Sequence, residues 1–268
     1  MVERANLTPT EPRAVATGCT VVVGAAQGIG EAVARRLAVE RPAERLVLAD
    51  IKEGAVEDLA EELTAKTGCA VSAMGVDITS AASIRQLVDV AGDTRHLVTV
   101  AGIFRATPSL DVDWDEFASV LNVNLMGTYF VAQAFAAGMA ARGGGSIVAV
   151  CSIAARMPRL RQAAYCASKA GMRQALRVLA METVPLGVRV NFVSPGPTDT
   201  PMMRDLSADH GLADLAKGDT VAFRPRVPAG RVATPGDIAA GVAFLLSDDA
   251  AHIAMHDLYV DGGESLGV

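Results

Sequence analysis

The sequence has little basic charge and few cysteines. Its 24 Lys and Arg residues are outnumbered by 30 Asp and Glu, so the net charge is −6. We therefore expect no nucleic-acid partner, because such a partner selects a basic face. The four cysteines form no C-x-x-C pair and no regular spacing. That excludes a disulfide framework and predicts buried free thiols in a reducing compartment, the cytoplasm.

Long hydrophobic runs and signal-like segments are lacking as well. No apolar run reaches the ~20 residues that a bilayer-spanning helix needs, so we expect no membrane association. Residues 1–17 mix charges with Pro9 and Pro12 and show no apolar segment behind a basic start. We predict a loose tail there and no signal peptide. No acidic or Cys cluster accompanies the histidines, so no metal site is expected.

Short β-branched runs alternate with helical patterns over residues 18–268, which predicts a single α/β domain. Runs so rich in Val, Ile and Leu are typical of strands buried on both faces of a parallel sheet. A helix is predicted to begin at Thr234, which is followed by Pro235 and Asp237. The runs are Cys19–Val23, Leu46–Leu48, Val71–Met74, Leu97–Val100, Ile147–Val150, Val188–Val193 and Leu258–Val260.

The first turn decides between a doubly wound sheet and a barrel. It reads Val23-Gly24-Ala25-Ala26-Gln27-Gly28-Ile29-Gly30, directly after a strand and directly before a helix. Its glycines let the backbone approach a pyrophosphate, and the helix N-terminus offers free N–H groups. We predict a doubly wound, Rossmann-type parallel sheet of about seven strands with helices on both faces. Asp50, ending the second strand, can accept both ribose hydroxyls of NAD and repel the 2′-phosphate of NADP, so NAD is expected.

The Gly-x-x-x-Gly-x-Gly spacing resembles the short-chain dehydrogenase/reductase family, with Val23 where the family has Thr. Asp77-Ile78, Pro195-Gly196 and Thr198 continue the likeness. Thr99-Val100-Ala101-Gly102 is similar to the family's Asn-Asn-Ala-Gly, with both Asn replaced. The cofactor-binding residues that the turn, Asp50 and this resemblance imply are Gly24, Gln27, Gly28, Ile29, Gly30, Asp50, Asp77, Ile78, Ala101, Gly102, Tyr165, Lys169, Pro195, Gly196, Thr198 and Thr200.

Tyr165-Cys-Ala-Ser-Lys169 places a phenol and an ammonium on one face of a helix. A neighbouring ammonium lowers the pKa of a phenol, so we predict that Lys169 prepares Tyr165 to remove an alcohol proton. The resemblance adds Ser152, as the hydroxyl that polarises the reacting oxygen, and Asn124, which completes the proton relay. Together they predict an NAD-dependent alcohol dehydrogenase.

Two stretches resemble one subgroup of the family. Ala155-Arg-Met-Pro-Arg159 and the end of the chain, 252–268, are similar to 2,3-dihydro-2,3-dihydroxybenzoate dehydrogenases of catechol-siderophore pathways. The resemblance implies that the 3-hydroxyl of a cyclic carboxylate is oxidised and that the product becomes aromatic. Gln162 replaces the subgroup's Met, and its amide could bond a 2-amino group. The 2-amino analogue, 2,3-dihydro-3-hydroxyanthranilate, therefore stays an alternative, and an NADPH-dependent ketoacyl reductase is a further one.

The expected substrate-binding residues are Arg105, Ser152, Arg159, Gln162 and Tyr165. A planar carboxylate is best met by the bidentate fork of an arginine, so two arginines in loops behind strands are the candidates for the acid group. The family also implies a homotetramer. Its interfaces would use the helices around 112–139 and 162–184 and the carboxyl-terminal segment.

Overall fold

The structure, a computed structural model, describes residues 18–41, 44–206 and 211–266. Seven strands within these residues form one parallel sheet in the order β3-β2-β1-β4-β5-β6-β7, as the alternating pattern predicts. The predicted tail, residues 1–17, lies outside the described residues. The strands are β1 (Cys19–Val23), β2 (Arg45–Asp50), β3 (Val71–Gly75), β4 (Thr94–Thr99), β5 (Gly145–Val150), β6 (Val188–Pro195) and β7 (Asp257–Val260).

Helices cover both faces of the sheet, which confirms the predicted doubly wound fold. The first group, α1, α2 and α9, packs on one face, and α3, α5 and α6 pack on the other. A π-helical turn, Asn122–Gly127, joins α4 to α5. The helices of the described residues are α1 (Gly28–Glu40), α2 (Glu53–Thr67), α3 (Ala81–Ala91), α4 (Trp114–Leu121), α5 (Thr128–Ala141), α6 (Ala163–Thr183), α7 (Pro201–Leu206), α8 (Leu212–Leu215) and α9 (Pro235–Leu246).

The strands are apolar on both faces because each face has its own core. In β1, Val21 packs in the core under α5 and α6, and its neighbour Val22 packs in the core under α1 and α9. Successive strand side chains point to opposite faces, so a strand between two helical layers is mostly apolar on both. The predicted start of α9 is confirmed, because Thr234 and Asp237 form a reciprocal capping box.

One helical stretch, Trp114–Ala141, is long and apolar enough to cross a membrane by length and composition. The stretch is not an uninterrupted apolar run, because Asp115, Glu116, Asn122 and Asn124 lie within it. In the fold, α5 packs against β4, β5 and α6, and its side chains Val131, Phe135 and Met139 are buried in the core. The apolar composition of this stretch thus reflects its position as a core helix on the sheet.

Candidate active site

A cleft of about 1870 Å³ lies at the carboxyl ends of the strands. One wall consists of the turn after β1 and the end of β2. The opposite wall consists of the loops after β4, β5 and β6 together with residues of α7 and of the stretch 214–226. Ligands bind at this edge of open α/β sheets, because the loops that follow successive strands meet there.

The turn after β1 is a backbone cradle in which a side chain does not fit. Gly24 has a φ of 88°, and a Cβ on it would lie 2.4 Å from the amide nitrogen of Ala101. A Cβ on Gly30 would lie 1.8 Å from the carbonyl oxygen of Gly24. These contacts hold the N-terminus of α1 close against the sheet and open its amide groups to the cleft. The arrangement therefore fits a dinucleotide pyrophosphate.

Asp50 is fixed at the cleft wall by the main chain. Its carboxylate accepts hydrogen bonds from the amides of Ala26 at 3.1 Å and Lys52 at 3.0 Å. The ammonium of Lys52 donates to Gln27 at 2.8 Å instead of pairing with Asp50. An ionised carboxylate can accept about four hydrogen bonds, so Asp50 keeps the capacity to accept two hydroxyl groups.

Most of the predicted cofactor-binding residues line the cleft, and three do not. Gly30 packs beneath the turn, and Ile78 lies against Gly127. The carboxylate of Asp77 accepts from the amide and hydroxyl of Thr79. The predicted cofactor-binding residues that line the cleft are Gly24, Gln27, Gly28, Ile29, Asp50, Ala101, Gly102, Tyr165, Lys169, Pro195, Gly196, Thr198 and Thr200.

The structure brings Ser152, Tyr165 and Lys169 together at the centre of the cleft. Ser152 follows β5, and its hydroxyl accepts from the amide of Ala154 at 3.1 Å. Tyr165 and Lys169 lie on α6, where the ammonium is 5.9 Å from the centre of the phenol ring. That ammonium donates to the carbonyl of Val150 at 3.0 Å. A hydroxyl, a phenol and an ammonium therefore face one space, as an alcohol-oxidising site requires.

The pKa of Tyr165 shifts in the direction opposite to the prediction. Burial raises it to about 12, while a hydrogen bond with Ser152 opposes this rise. Burial also lowers the pKa of Lys169. The ammonium, which donates to the carbonyl of Val150 and lies 5.9 Å from the centre of the phenol ring, does not offset the desolvation of the phenol. Tyr165 is thus a neutral phenol in the protein alone.

Asn124 lies behind the cleft wall. It is fully buried in the π-helical turn, where its amide exchanges two hydrogen bonds of 2.8 Å with the backbone of Ile103. The same amide donates to Ser168 on α6 at 3.1 Å. This side chain therefore ties the loop after β4 to the helix that carries Tyr165 and Lys169.

The predicted substrate-binding residues all line the cleft, but the two arginines differ. Arg105 is exposed and donates to the carbonyl of Phe104 at 2.8 Å. Arg159 is only 10% exposed and donates to the carboxylate of Glu264 at 2.7 Å. Gln162 is half-buried at the start of α6. Arg159 is therefore held in a fixed position, whereas Arg105 is bonded to its own loop.

Sequence reasoning missed two residues of this region, Arg224 and Glu264. Arg224 lines the cleft, and its Nε donates to Glu264 at 3.2 Å. The partners of Glu264 lie 105 and 40 residues away along the chain. One signal in the sequence could have found Glu264. It is an acidic residue among small residues, in Asp261-Gly-Gly-Glu264-Ser265, directly after the last apolar strand.

Comparison with known proteins gives relatives along most of the chain. A family model described as Enoyl-(Acyl carrier protein) reductase matches residues 24–265. The vibriobactin-specific 2,3-dihydro-2,3-dihydroxybenzoate dehydrogenase of Vibrio cholerae is 36% identical over 252 residues, covering 92% of this chain and 95% of that protein. D-threitol dehydrogenase of Mycolicibacterium smegmatis is 37% identical over 250 residues, covering 92% of each.

A solved structure has a similar fold. It is 7α-hydroxysteroid dehydrogenase complexed with NADH and 7-oxo glycochenodeoxycholic acid, with a TM-score of 0.83 and 27% identity. The match covers 92% of this chain and 94% of that one. Since relatives with different substrates match this chain at nearly the same identity, overall likeness does not choose a substrate, and the cleft must be used instead.

Proposed function

This chain belongs to the short-chain dehydrogenase/reductase family, and we propose that it oxidises the 3-hydroxyl of 2,3-dihydro-2,3-dihydroxybenzoate to give 2,3-dihydroxybenzoate. The coarser activity, that of an NAD(P)-dependent oxidoreductase, is shared by the family. The finer proposal rests on one observation. The cleft that contains Ser152, Tyr165 and Lys169 also has a buried, positively charged wall at Arg159.

NAD is the proposed cofactor, and when bound its nicotinamide accepts the hydride. The glycine turn would hold the pyrophosphate, and Asp50 would accept the ribose hydroxyls. Asp50 favours NAD because a 2′-phosphate would be repelled by a carboxylate already fixed by two amides. Lys52 does not offset that repulsion fully, since its ammonium is bonded to Gln27.

Ser152 and Tyr165 would act on the reacting oxygen. Ser152 orients the 3-hydroxyl by a hydrogen bond, and Tyr165, once ionised, removes its proton as the C3–H bond breaks and the carbonyl forms. Lys169 places a positive charge beside the phenolate. Asn124 holds the loop and the helix that surround this group. The ketone then tautomerises: C2 loses its proton to solvent, the C3 oxygen gains one, and the ring becomes aromatic, which makes the oxidation favourable.

The proposal is tested by NADH formation at 340 nm with 2,3-dihydro-2,3-dihydroxybenzoate. We expect kcat/KM for this acid to exceed that for D-threitol by at least 100-fold, because only the acid uses the charged wall. A ketoacyl substrate with NADPH serves as the third arm. Higher kcat/KM for D-threitol or for the ketoacyl substrate would overturn the proposal.

One observation favours the 2-amino analogue, 2,3-dihydro-3-hydroxyanthranilate, as a second candidate. Gln162 lines the cleft beside Tyr165, and its side-chain amide makes no hydrogen bond to any described residue. Such an amide can accept a bond from an amino group or donate one to a hydroxyl. The same assay with both dihydro acids compares the two candidate substrates. Gln162→Met should lower kcat/KM for the 2-amino analogue more than kcat/KM for the 2-hydroxy acid.

We also propose that the single domain over 18–268 assembles as a homotetramer in the cytoplasm. Large apolar side chains are exposed on the helices where the interfaces were predicted, among them Trp114 at 85%, Phe130 at 46% and Met181 at 65%. Exposed apolar side chains on these helices support the proposed interfaces. The four cysteines are free thiols, in keeping with a reducing compartment. Sedimentation showing a monomer at micromolar concentration would contradict the assembly.

A further inference from the structure

Two arginines on the substrate side of the cleft converge on one buried carboxylate. Arg159 and Arg224 both donate to the same oxygen, Oε1 of Glu264, at 2.7 and 3.2 Å. Their side chains are 10% and 20% exposed, and that of Glu264 is fully buried. Both arginines line the cleft, whereas Glu264 lies behind them. We call these three residues the arginine clamp.

Two members of the clamp, Arg224 and Glu264, are fixed by their own loops. The backbone of Arg224 exchanges hydrogen bonds of 2.7 and 2.8 Å with Asp219 across a hairpin-like turn. Glu264 is aimed inward by Asp261, whose carboxylate accepts from the amides of Gly263 and Ser265. These bonds define the positions of both charged groups before any ligand arrives.

The clamp has surplus positive charge and surplus donors. Two guanidinium groups face one carboxylate, so the group carries a net charge of about +1 at neutral pH. Each guanidinium has five N–H donors, and each gives one bond to Glu264. Among the described residues, neither makes a further side-chain ion pair. The remaining donors at the cleft are therefore available to a ligand.

Stability alone does not account for this group. The second oxygen of Glu264, Oε2, is buried without a hydrogen-bond partner among the described residues. Burial raises the pKa of Glu264 and lowers that of Arg159, so the protein holds both charges against a desolvation penalty. Apolar residues of similar volume are often at least as stable as a buried ion pair. An incompletely bonded group of this kind is typical of a binding site.

We propose that the arginine clamp is a preformed site for the carboxylate of the substrate, in which Arg159 and Arg224 bind the acid together and Glu264 positions both. This inference rests on the proposed function and deepens it, because it assigns recognition of the acid to two further residues. A ligand carboxylate cancels the net charge of the clamp and occupies its free donors. The clamp thereby selects ring acids over neutral cyclic alcohols.

The first test measures binding without turnover. Benzoate and benzyl alcohol, which differ in the acid group, are titrated calorimetrically into the enzyme saturated with NAD. We expect Arg224→Leu to weaken benzoate binding by about 10- to 100-fold, the effect of one charged hydrogen bond, and to change benzyl alcohol binding less than twofold. Arg226→Leu is the matched control. This exposed arginine lies two residues from Arg224 in the same loop and is not part of the clamp. Equal weakening by both variants would overturn the proposal.

The second test concerns Glu264 as a positioning residue. Glu264→Gln preserves the volume and removes the negative charge, so the local charge rises while the guanidinium groups lose their anchor. We expect benzoate binding to weaken at least fivefold with benzyl alcohol binding unchanged. Tighter benzoate binding would mean that Glu264 only competes with the ligand, and it would overturn the positioning role. A loss for both ligands would show that the residue is merely structural.

The two proposals can fail separately. If the wild-type enzyme oxidises 2,3-dihydro-2,3-dihydroxybenzoate and Arg224→Leu leaves its kcat/KM unchanged, the clamp is wrong and the proposed function stands. If benzoate binding depends on Arg224 and Glu264 while no dihydro acid is oxidised, the proposed function is wrong and the acid site stands.

Discussion

The two sides of the cleft are built by different means. The cofactor side is held by main-chain bonds and glycine contacts: the amide of Gly24 donates to Ala49 at 2.7 Å, and Gly30 packs on Gly24 without room for a methyl group. The substrate side is held by charged side chains from distant parts of the chain. Arg159 and Glu264 are 105 residues apart, and Arg161 reaches the carbonyl of Ala106 across 55 residues.

This difference separates the parts of the cleft that tolerate few substitutions from the parts that tolerate many. The backbone cradle would bind the dinucleotide, which is the same whatever alcohol is oxidised. Almost any side chain added to the cradle would collide with its neighbours. A wall made of side chains can be altered without moving a strand. That explains how proteins named for a ring acid and for D-threitol match this chain at 36% and 37% identity. Specificity must be sought on the second side.

The largest expected effect is at the junction of the two sides. Tyr165→Phe removes only the phenol oxygen, and we expect kcat to fall by about 10²- to 10⁴-fold, the contribution typical of a positioned acid or base. Affinity for NAD and for benzoate should change less than twofold, since neither side is altered. Turnover assays and calorimetry on the same variant check this. A parallel loss of NAD affinity would show that Tyr165 belongs to the cofactor side.

The next largest effect is expected on the cofactor side, which is built from backbone. In Gly30→Ala the new methyl group would lie 1.8 Å from the carbonyl oxygen of Gly24. We expect the free energy of unfolding to fall by ~3 kcal/mol and NAD affinity to fall at least tenfold, because the helix must move off the turn. Gly54→Ala in α2 is the control, since its Cβ would meet nothing within 4 Å. Denaturant unfolding and calorimetry distinguish the two, and equal stability of both variants would contradict the close-packed cradle.

Local patterns in the sequence predicted the glycine turn and the Tyr165–Lys169 pair, whereas two residues on the substrate side were missed. The turn 23–30 and Asp50 are local patterns whose meaning depends on the strand before them and the helix after them. Tyr165 and Lys169 share a helix, so their spacing alone places them on one face. Arg224 and Glu264 carry no such pattern, because they meet only when separate loops fold together. The pKa of Tyr165 was predicted wrongly because spacing shows that Lys169 is near but not where its ammonium points.

A smaller effect is expected for the choice between cofactors. Asp50→Asn keeps an acceptor for the amide of Ala26 but removes the charge that repels a 2′-phosphate. We expect the ratio of kcat/KM with NAD to that with NADP to fall by about 10- to 100-fold, mostly through better use of NADP. Lys52→Met, which removes the adjacent ammonium, should shift the ratio in the opposite direction. Equal use of both cofactors by the wild type would contradict the role of Asp50.

The smallest expected effect is the change in kcat/KM for each unit of pH. It distinguishes Tyr165, which titrates, from the arginines of the substrate side, which do not. Because the pKa of Tyr165 is about 12 in the protein alone, the fraction of phenolate at pH 7 to 9 is small and grows about tenfold with each pH unit. We expect kcat/KM for oxidation to rise with pH over this range, with a slope of up to one on logarithmic axes. The slope would flatten at the pKa of the reacting complex. Benzoate affinity should stay constant over the same range, since arginines keep their charge there.

Ser152→Ala removes a hydrogen bond that lowers the pKa of Tyr165, so the rise of kcat/KM should move to higher pH. A flat profile of kcat/KM in the wild type would mean that Tyr165 does not remove the proton.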